Sequence, residues 1–349
     1  MPDANPTVPV LRGDLEVPRD GLVGKTVAIL GYGNQGRAHA ANLADSFGRT
    51  LTLVIGGRPG SDGLARASED GLTALPNEEA AALADLAIVA LPDEIHGLAC
   101  PKVLQGMRPG ATVGFIHGFS IRFGAVTPRE DLGVVLVAPK GPGTTLRSRF
   151  RHGQGIPALL AVERESSRGD ARRLALAWAN GIGSARAGVL ETTFAAEAET
   201  DLFGEQAVLC GGLQGLVVAA FETLVEAGYP PELAYIECCH EAKQVADLVY
   251  AGGLDFMRRK ISNTAEFGAH AAAPRIADER VRATFRQLLA EIRDGSFAKR
   301  FLDDTAAGGP WMEARRAEGS AHPIEDSGRS VRSLMPWLAD EAAPGGPGR

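Results

Sequence analysis

The stretch "TVAILGYGNQGRAHAANL", residues 26–43, decides the reading of the first half of the chain. An apolar run, 26–30, meets three glycines spaced Gly31-x-Gly33-x-x-Gly36, and small apolar residues at helical spacing follow at once. A buried strand, a glycine turn and a helix start in that order are what a pyrophosphate site needs. Gly31 permits the tight turn, Gly33 lets the backbone approach the phosphates, and Gly36 lets the helix pack closely on the strand. Partial positive charge at the helix N-terminus then faces the anion.

Outward from this stretch, the apolar runs "LTLVI", "LAIVAL", "TVGFIH", "VVLVAPK" and "PALLAV" alternate with helical stretches as far as Leu190. Near-continuous apolar strands of this kind predict a doubly wound α/β domain, its parallel sheet covered on both faces, over residues 1–191. After Glu191 the strands stop and long stretches with apolar residues at three-to-four spacing predict an all-α domain over 192–340. Residues 341–349, "EAAPGGPGR" in context, have the composition of a disordered tail, and the proline- and acid-rich N-terminal stretch is expected to stay outside the fold. That stretch does not look like a signal peptide, and no apolar run approaches the roughly 20 residues of a membrane helix. The net charge is -7, with no stripe of Lys or Arg, which argues against a nucleic-acid partner. Cys100, Cys210, Cys238 and Cys239 show neither metal-knuckle spacing nor a disulfide framework, so the expectation is a cytoplasmic protein with neither membrane nor nucleic acid as partner.

The second apolar strand ends in "GGRPGSDG" without the acid that would hold a ribose 2'-hydroxyl. Arg58 and Ser61 stand there and suit a 2'-phosphate, so NADPH is favoured; Asp62 opposes it, and NADH use stays open.

In the second half, "ETDLFGEQ" (199–206) sets Asp201 and Glu205 four apart, and "IECCHEAK" (236–243) repeats the spacing with Glu237 and Glu241. On α-helices each pair shares a face, where like charges repel. Apolar Leu202, Phe203, Ile236 and Cys238 surround them, so two solvated faces are the poorer reading. Cations must offset the charge, and an all-carboxylate donor set suits a hard ion such as Mg²⁺.

Over nearly its whole length, from about Lys25 to Leu338, the chain resembles the short class of ketol-acid reductoisomerases. The resemblance rests on "GYGNQG", "LPDEIHG", "HGFSIRFG", "APKGPG", "AGVLETTFAAEAETDLFGEQAVLCGG", "FETLVEAGYPPELAYIECCHEAK", "ISNTAEFG" and "AHPIEDSG". It implies alkyl migration followed by NADPH reduction of 2-acetolactate or 2-aceto-2-hydroxybutyrate, on the route to valine and isoleucine. It also implies a knotted helical domain, at least a homodimer, and two Mg²⁺ held by Asp201, Glu205, Glu237 and Glu241, the last two reaching over from a neighbouring subunit. His117, Lys140 and Glu241 match catalytic positions and Ser262 a substrate-carboxylate site. Gly31, Tyr32, Gly33, Asn34, Gln35, Gly36, Arg58, Ser61, Asp93, Glu94, Ile95, His96 and Gly143 match the cofactor site. Asn34, Arg37 and Gly63 depart from the family pattern on the cofactor side, and Ser120, Arg122 and Phe123 beside His117. These leave a Mg²⁺-assisted 2-keto acid reductase of a specialised pathway as the alternative.

Overall fold

A computed structural model describes residues 7–338; the expected disordered tail lies outside them. The chain divides into two compact units after Ala198, within a helix.

The first unit is built on a nine-stranded sheet. Its strands are β1 (Val10–Leu11), β2 (Thr26–Leu30), β3 (Thr52–Gly57), β4 (Thr73–Pro76), β5 (Leu86–Val89), β6 (Thr112–Phe115), β7 (Gly133–Pro139), β8 (Ala158–Arg164) and β9 (Val189–Glu191), in the order β1-β9-β8-β7-β6-β5-β2-β3-β4. All six strands predicted from apolar runs are present. The strands from β7 to β4 are parallel, as expected, but β8 runs antiparallel to β7, and β1 pairs antiparallel with β9. The three unpredicted strands are short, two to four residues, too short for a side-chain period to show. β1 also corrects the exclusion of the N-terminal stretch: Val10 and Leu11 extend the sheet, and Val17 and Leu22 are fully buried.

Alternation along the strands explains why both faces are covered. Val27, Ile29, Ile55 and Ile88 face a layer that includes Leu43, Phe47 and Trp178, while Ala28, Leu30, Ala87 and Val89 face Ala80, Val103 and Leu104. From β2 the chain steps to β3 and β4 on one side, and from β5 to β6 and β7 on the other. The crevice at this reversal, outside the carboxyl ends of the strands, is where open α/β sheets bind ligands.

Between helix Asn34–Phe47 and helix Ala171–Gly181, fully buried His39 accepts a hydrogen bond at Nδ1 from Trp178 Nε1, 3.1 Å away. Indole N–H can only donate, so the ring is the neutral Nε2–H tautomer. Burial pulls its pKa from 6.5 to about 3. The unfolded chain therefore binds a proton that the native one refuses. Stability is complete above pH 6.5 and falls with pH toward 3, by up to about 1.4 kcal/mol per unit from this group. His39→Gln keeps an acceptor but cannot titrate, so urea melts at pH 7, 6 and 5 should show a shallower slope in the variant.

The second unit is helical. Its main segments are Gly211–Glu226, Glu241–Arg258, Asn263–Ile276, Glu279–Arg293, Ser296–Ala306, Pro310–Ser320 and Pro323–Ser333. Phe221, Ala234, Tyr235, Ile324 and Val331 form a small core, with Arg332 Nη1 donating to Tyr235 Oη at 2.7 Å. Much apolar surface stays outside it: Leu213, Leu216, Tyr250, Leu254 and Phe267 are each more than half exposed. The helical run Phe194–Glu226 is long and apolar enough by length and composition to cross a membrane, with a mean hydropathy of 1.8 over its most apolar stretch, although acids and Gln214 interrupt it.

Candidate functional site

At the end of β2, Gly31 takes φ +99°, and a Cβ there would lie 2.6 Å from the carbonyl oxygen of Ala90. Gly36 is closer still, its Cβ position 2.0 Å from the oxygen of Gly31, so the helix begins hard against the strand end. Around Gly33 there is nothing within 4 Å of a Cβ, which leaves the cradle that a phosphate needs. Gln35 Nε2 donates to Gly141 O at 2.9 Å, and a Cβ on Gly143 would meet Asn34 O at 2.2 Å, so the loop after β7 closes on the glycine turn. A groove of about 580 Å³ runs from here, lined by Tyr32, Gly33, Asn34, Arg37, Gly143 and Thr144 among others. These residues fit a dinucleotide pyrophosphate. Arg58 is exposed and Ser61 partly so, at the N-terminus of helix Asp62–Glu69.

One network here is illegible in sequence. Tyr32 Oη donates to Asp70 at 2.8 Å, and Arg37 grips the same carboxylate at 3.0 and 3.1 Å. Burial and the neighbouring carboxylate raise the Tyr32 phenol well above its usual range, so it stays protonated and donates.

The next strand ends bring the expected catalytic groups to the same edge. His117 follows β6, and its Nδ1 lies 2.8 Å from Asp93 Oδ2. A carboxylate there fixes the Nδ1–H tautomer and the orientation of the ring. Asp93, expected at the cofactor site, also pairs with His117. The neighbouring His96 is held on both ring nitrogens. Its ring is 2% exposed, Nε2 donates to Leu91 O at 2.9 Å, and Nδ1 accepts from Ser120 Oγ at 2.6 Å. Burial lowers its pKa more than Asp93 raises it, so the ring braces the loop as a neutral group. Ser120, fully buried, acts on that loop. Glu94 and Ile95 complete the short 3-10 turn Asp93–Ile95, with Ile95 exposed.

The residue missed in sequence is Glu197. It is 1% exposed on helix Phe194–Gly204, accepts the Gly118 amide at 2.7 Å, and meets the Lys140 ammonium at 2.7 Å. A Cβ on Gly118 would sit 2.5 Å from Phe194 O, so that close approach requires glycine. The available signal was spacing: Glu197 stands four before Asp201 in "AAEAETDL" and continues the same acidic series.

Asp93→Asn is expected to lower kcat by about 10²-fold or more, because the ring loses the carboxylate that fixes its tautomer and orientation. A parent-like kcat would reduce Asp93 to a packing role.

In the helical unit Asp201 is half-buried, and Glu205, Glu237 and Glu241 are exposed. Among the described residues, no three of these four carboxylates bring ligand oxygens within 4.8 Å of one another in the single chain. Their local geometry also departs from the expected α-helices. Glu205–Leu209 and Ile236–His240 are π-turns, with Cys210 N–H bonded to Glu205 O at 2.9 Å and Glu241 N–H bonded to Ile236 O. Glu237 and Glu241 therefore bracket a widened turn instead of stacking in α register. Ser262 is the N-cap of helix Asn263–Ile276, accepting from Ala265 N–H at 3.2 Å.

Residues 21–188 match the acetohydroxy acid isomeroreductase NADPH-binding domain, and 194–337 the ketol-acid reductoisomerase C-terminal domain. A solved NADH-preferring ketol-acid reductoisomerase from an uncultured archean is 40% identical, covers 94% of this chain and 99% of its own, and superposes with a TM-score of 0.89. Two more distant structures share only the fold. A semialdehyde dehydrogenase NAD-binding protein from Cupriavidus necator is 20% identical over 77% of this chain and 99% of its own, with a TM-score of 0.56. A pyrroline-5-carboxylate reductase from Coxiella burnetii is 15% identical over 78% and 97%, with a TM-score of 0.51. With both domain models matched in sequence along the chain, and a dinucleotide cradle and a His117–Asp93 pair on one sheet edge, this protein belongs to the ketol-acid reductoisomerase family.

Proposed function

We propose that the chain catalyses the Mg²⁺-dependent alkyl migration and NAD(P)H reduction that turn 2-acetolactate and 2-aceto-2-hydroxybutyrate into 2,3-dihydroxy acids, on the route to valine and isoleucine. The observation that carries this reading is the convergence of His117, Asp93, Lys140 and Glu197 on the strand edge where the dinucleotide cradle opens. His117 Nε2 moves a proton, with Asp93 holding the ring. Lys140, fixed by Glu197, presents positive charge to substrate oxygens. The Ser262 hydroxyl still has its proton to donate to a substrate carboxylate while its oxygen caps a helix.

Asp201, Glu205, Glu237 and Glu241 are an all-oxygen set that fits Mg²⁺ in kind. One chain does not gather them, and its exposed apolar helices fit a second copy, so the reading is a homodimer in which Glu237 and Glu241 meet the partner's metal pair. Bound there, two Mg²⁺ would polarise the ketone and hold the adjacent alkoxide. Glu241 is assigned the hydroxyl proton during the migration. Arg58 and Ser61 favour NADPH; Asp62 and the NADH-preferring relative support NADH as a second donor.

The test is oxidation of NADPH and of NADH with acetolactate, with and without Mg²⁺, with product analysis. Formation of a dihydroxy acid that needs Mg²⁺ is expected. Turnover of a pre-isomerised keto acid but none of acetolactate would instead identify a simple reductase.

A further inference from the structure

Both acidic pairs expected to hold metal lie at π-turns, and one of these turns carries a visible device that keeps it open. After Glu205–Leu209 come Gly211 and Gly212. A Cβ on Gly211 would lie 2.3 Å from the carbonyl oxygen of Gln206, and one on Gly212 would lie 2.2 Å from that of Ala207. Each is the carbonyl five residues back, swung under the helix by the extra residue in the turn. Gly215, one turn further along the same helix, has nothing within 4 Å of its Cβ position, so the crowding belongs to the π-turn and not to helical glycines generally.

A helix advances roughly 100° per residue, so one extra residue in a turn shifts the phase of everything beyond it by about that angle. Here the shift falls between Asp201 and Glu205 on one side and the exposed apolar face of Gly211–Glu226, with Leu213 and Leu216, on the other. Closing the turn to α register would also move the Glu205 carbonyl from the Cys210 amide to that of Leu209. We propose that Gly211 and Gly212 are positioning residues. Their missing side chains admit the widened turn, and the turn sets the direction of the Glu205 carboxylate relative to the helix face that a second copy covers. The inference rests on the reading of Asp201 and Glu205 as Mg²⁺ ligands.

Calorimetry with Mg²⁺ alone on the full-length protein, beside circular dichroism and thermal melts, tests it. Gly211→Ala and Gly212→Ala are expected to keep their helix content and weaken Mg²⁺ binding by about tenfold or more, the range for groups that orient a metal ligand. Gly215→Ala should bind Mg²⁺ like the parent and melt slightly higher, since alanine is the better helix former. Deleting Val208, which is 55% exposed, removes the extra residue without adding bulk and should reproduce the loss. Parent-like Mg²⁺ affinity in both alanine variants or in the deletion would overturn the proposal. So would unfolding of all three, which would make the turn a requirement of the fold rather than a positioning device. Glu205→Gln separates this from the metal reading: if it binds Mg²⁺ as the parent does, Glu205 is no ligand, whatever the glycine variants do.

Discussion

Replacing Asp201 by Asn is expected to cut Mg²⁺-dependent turnover by about three orders of magnitude while leaving the fold in place. The substitution keeps the shape and removes one charge at a half-buried position on helix Phe194–Gly204. Asn and Asp have similar helix propensities, so the backbone loses little. Under the metal reading, Asp201 would be one of the carboxylates that hold Mg²⁺. Lewis-acid stabilisation of developing negative charge is worth several kcal/mol, and each roughly 1.4 kcal/mol is a factor of ten in rate. Calorimetry should show Mg²⁺ binding lost or halved in stoichiometry, with an unchanged far-ultraviolet circular dichroism spectrum. Near-normal Mg²⁺-dependent turnover in the variant would remove Asp201 from the metal site.

What the sequence made legible follows the range of each signal. The glycine turn and six of the strands are local patterns. Each states its own geometry over a dozen residues, and the structure bears them out, down to Gly31 at positive φ. The antiparallel course of β8 was not legible, because its alternating burial looks the same in either direction. Pairings across long separations were invisible for another reason. Asp70 with Tyr32 and Arg37, Ser120 with His96, and Glu197 with Lys140 are joined only by the fold, and nothing in the composition around Asp70 marks it as a partner. The π-turns are the most instructive failure. Four-residue spacing was taken to mean one face of a helix; that holds for Asp201 and Glu205, at the end of helix Phe194–Gly204, and fails for Glu237 and Glu241, which span a π-turn. For the turn after Glu205 the pair "GG" at 211–212 was a clue, since two adjacent glycines at the start of a 16-residue helix cost stability unless the backbone needs the space.

The Lys140–Glu197 ion pair, buried at one end only, gives the second large effect, and its two halves should not behave alike. Glu197 is 1% exposed, whereas the Lys140 side chain is 32% exposed. Lys140→Met takes the ammonium from a carboxylate that water hardly reaches. Removing one partner of a buried pair typically costs about 3–5 kcal/mol, and partial access of water at the lysine end argues for the lower part of that range. Glu197→Gln leaves an ammonium that can turn toward solvent, and its amide oxygen can still accept from Gly118, so about 1 kcal/mol is expected. The double variant Lys140→Met, Glu197→Gln removes both charges and should recover most of the stability lost in Lys140→Met. Activity should not recover. If Lys140 presents charge to substrate oxygens and Glu197 holds it there, the single variants and the double variant should lose similar factors, because residues that act as one unit are not additive. Urea denaturation at pH 7.5 supplies the stability order, and single-turnover reduction supplies the rates. Parent-like stability in Lys140→Met would mean that the ion pair contributes nothing to Glu197. Additive losses of rate across the three variants would mean that the two residues act separately, with Glu197 working through Gly118 and the His117 loop rather than through the lysine.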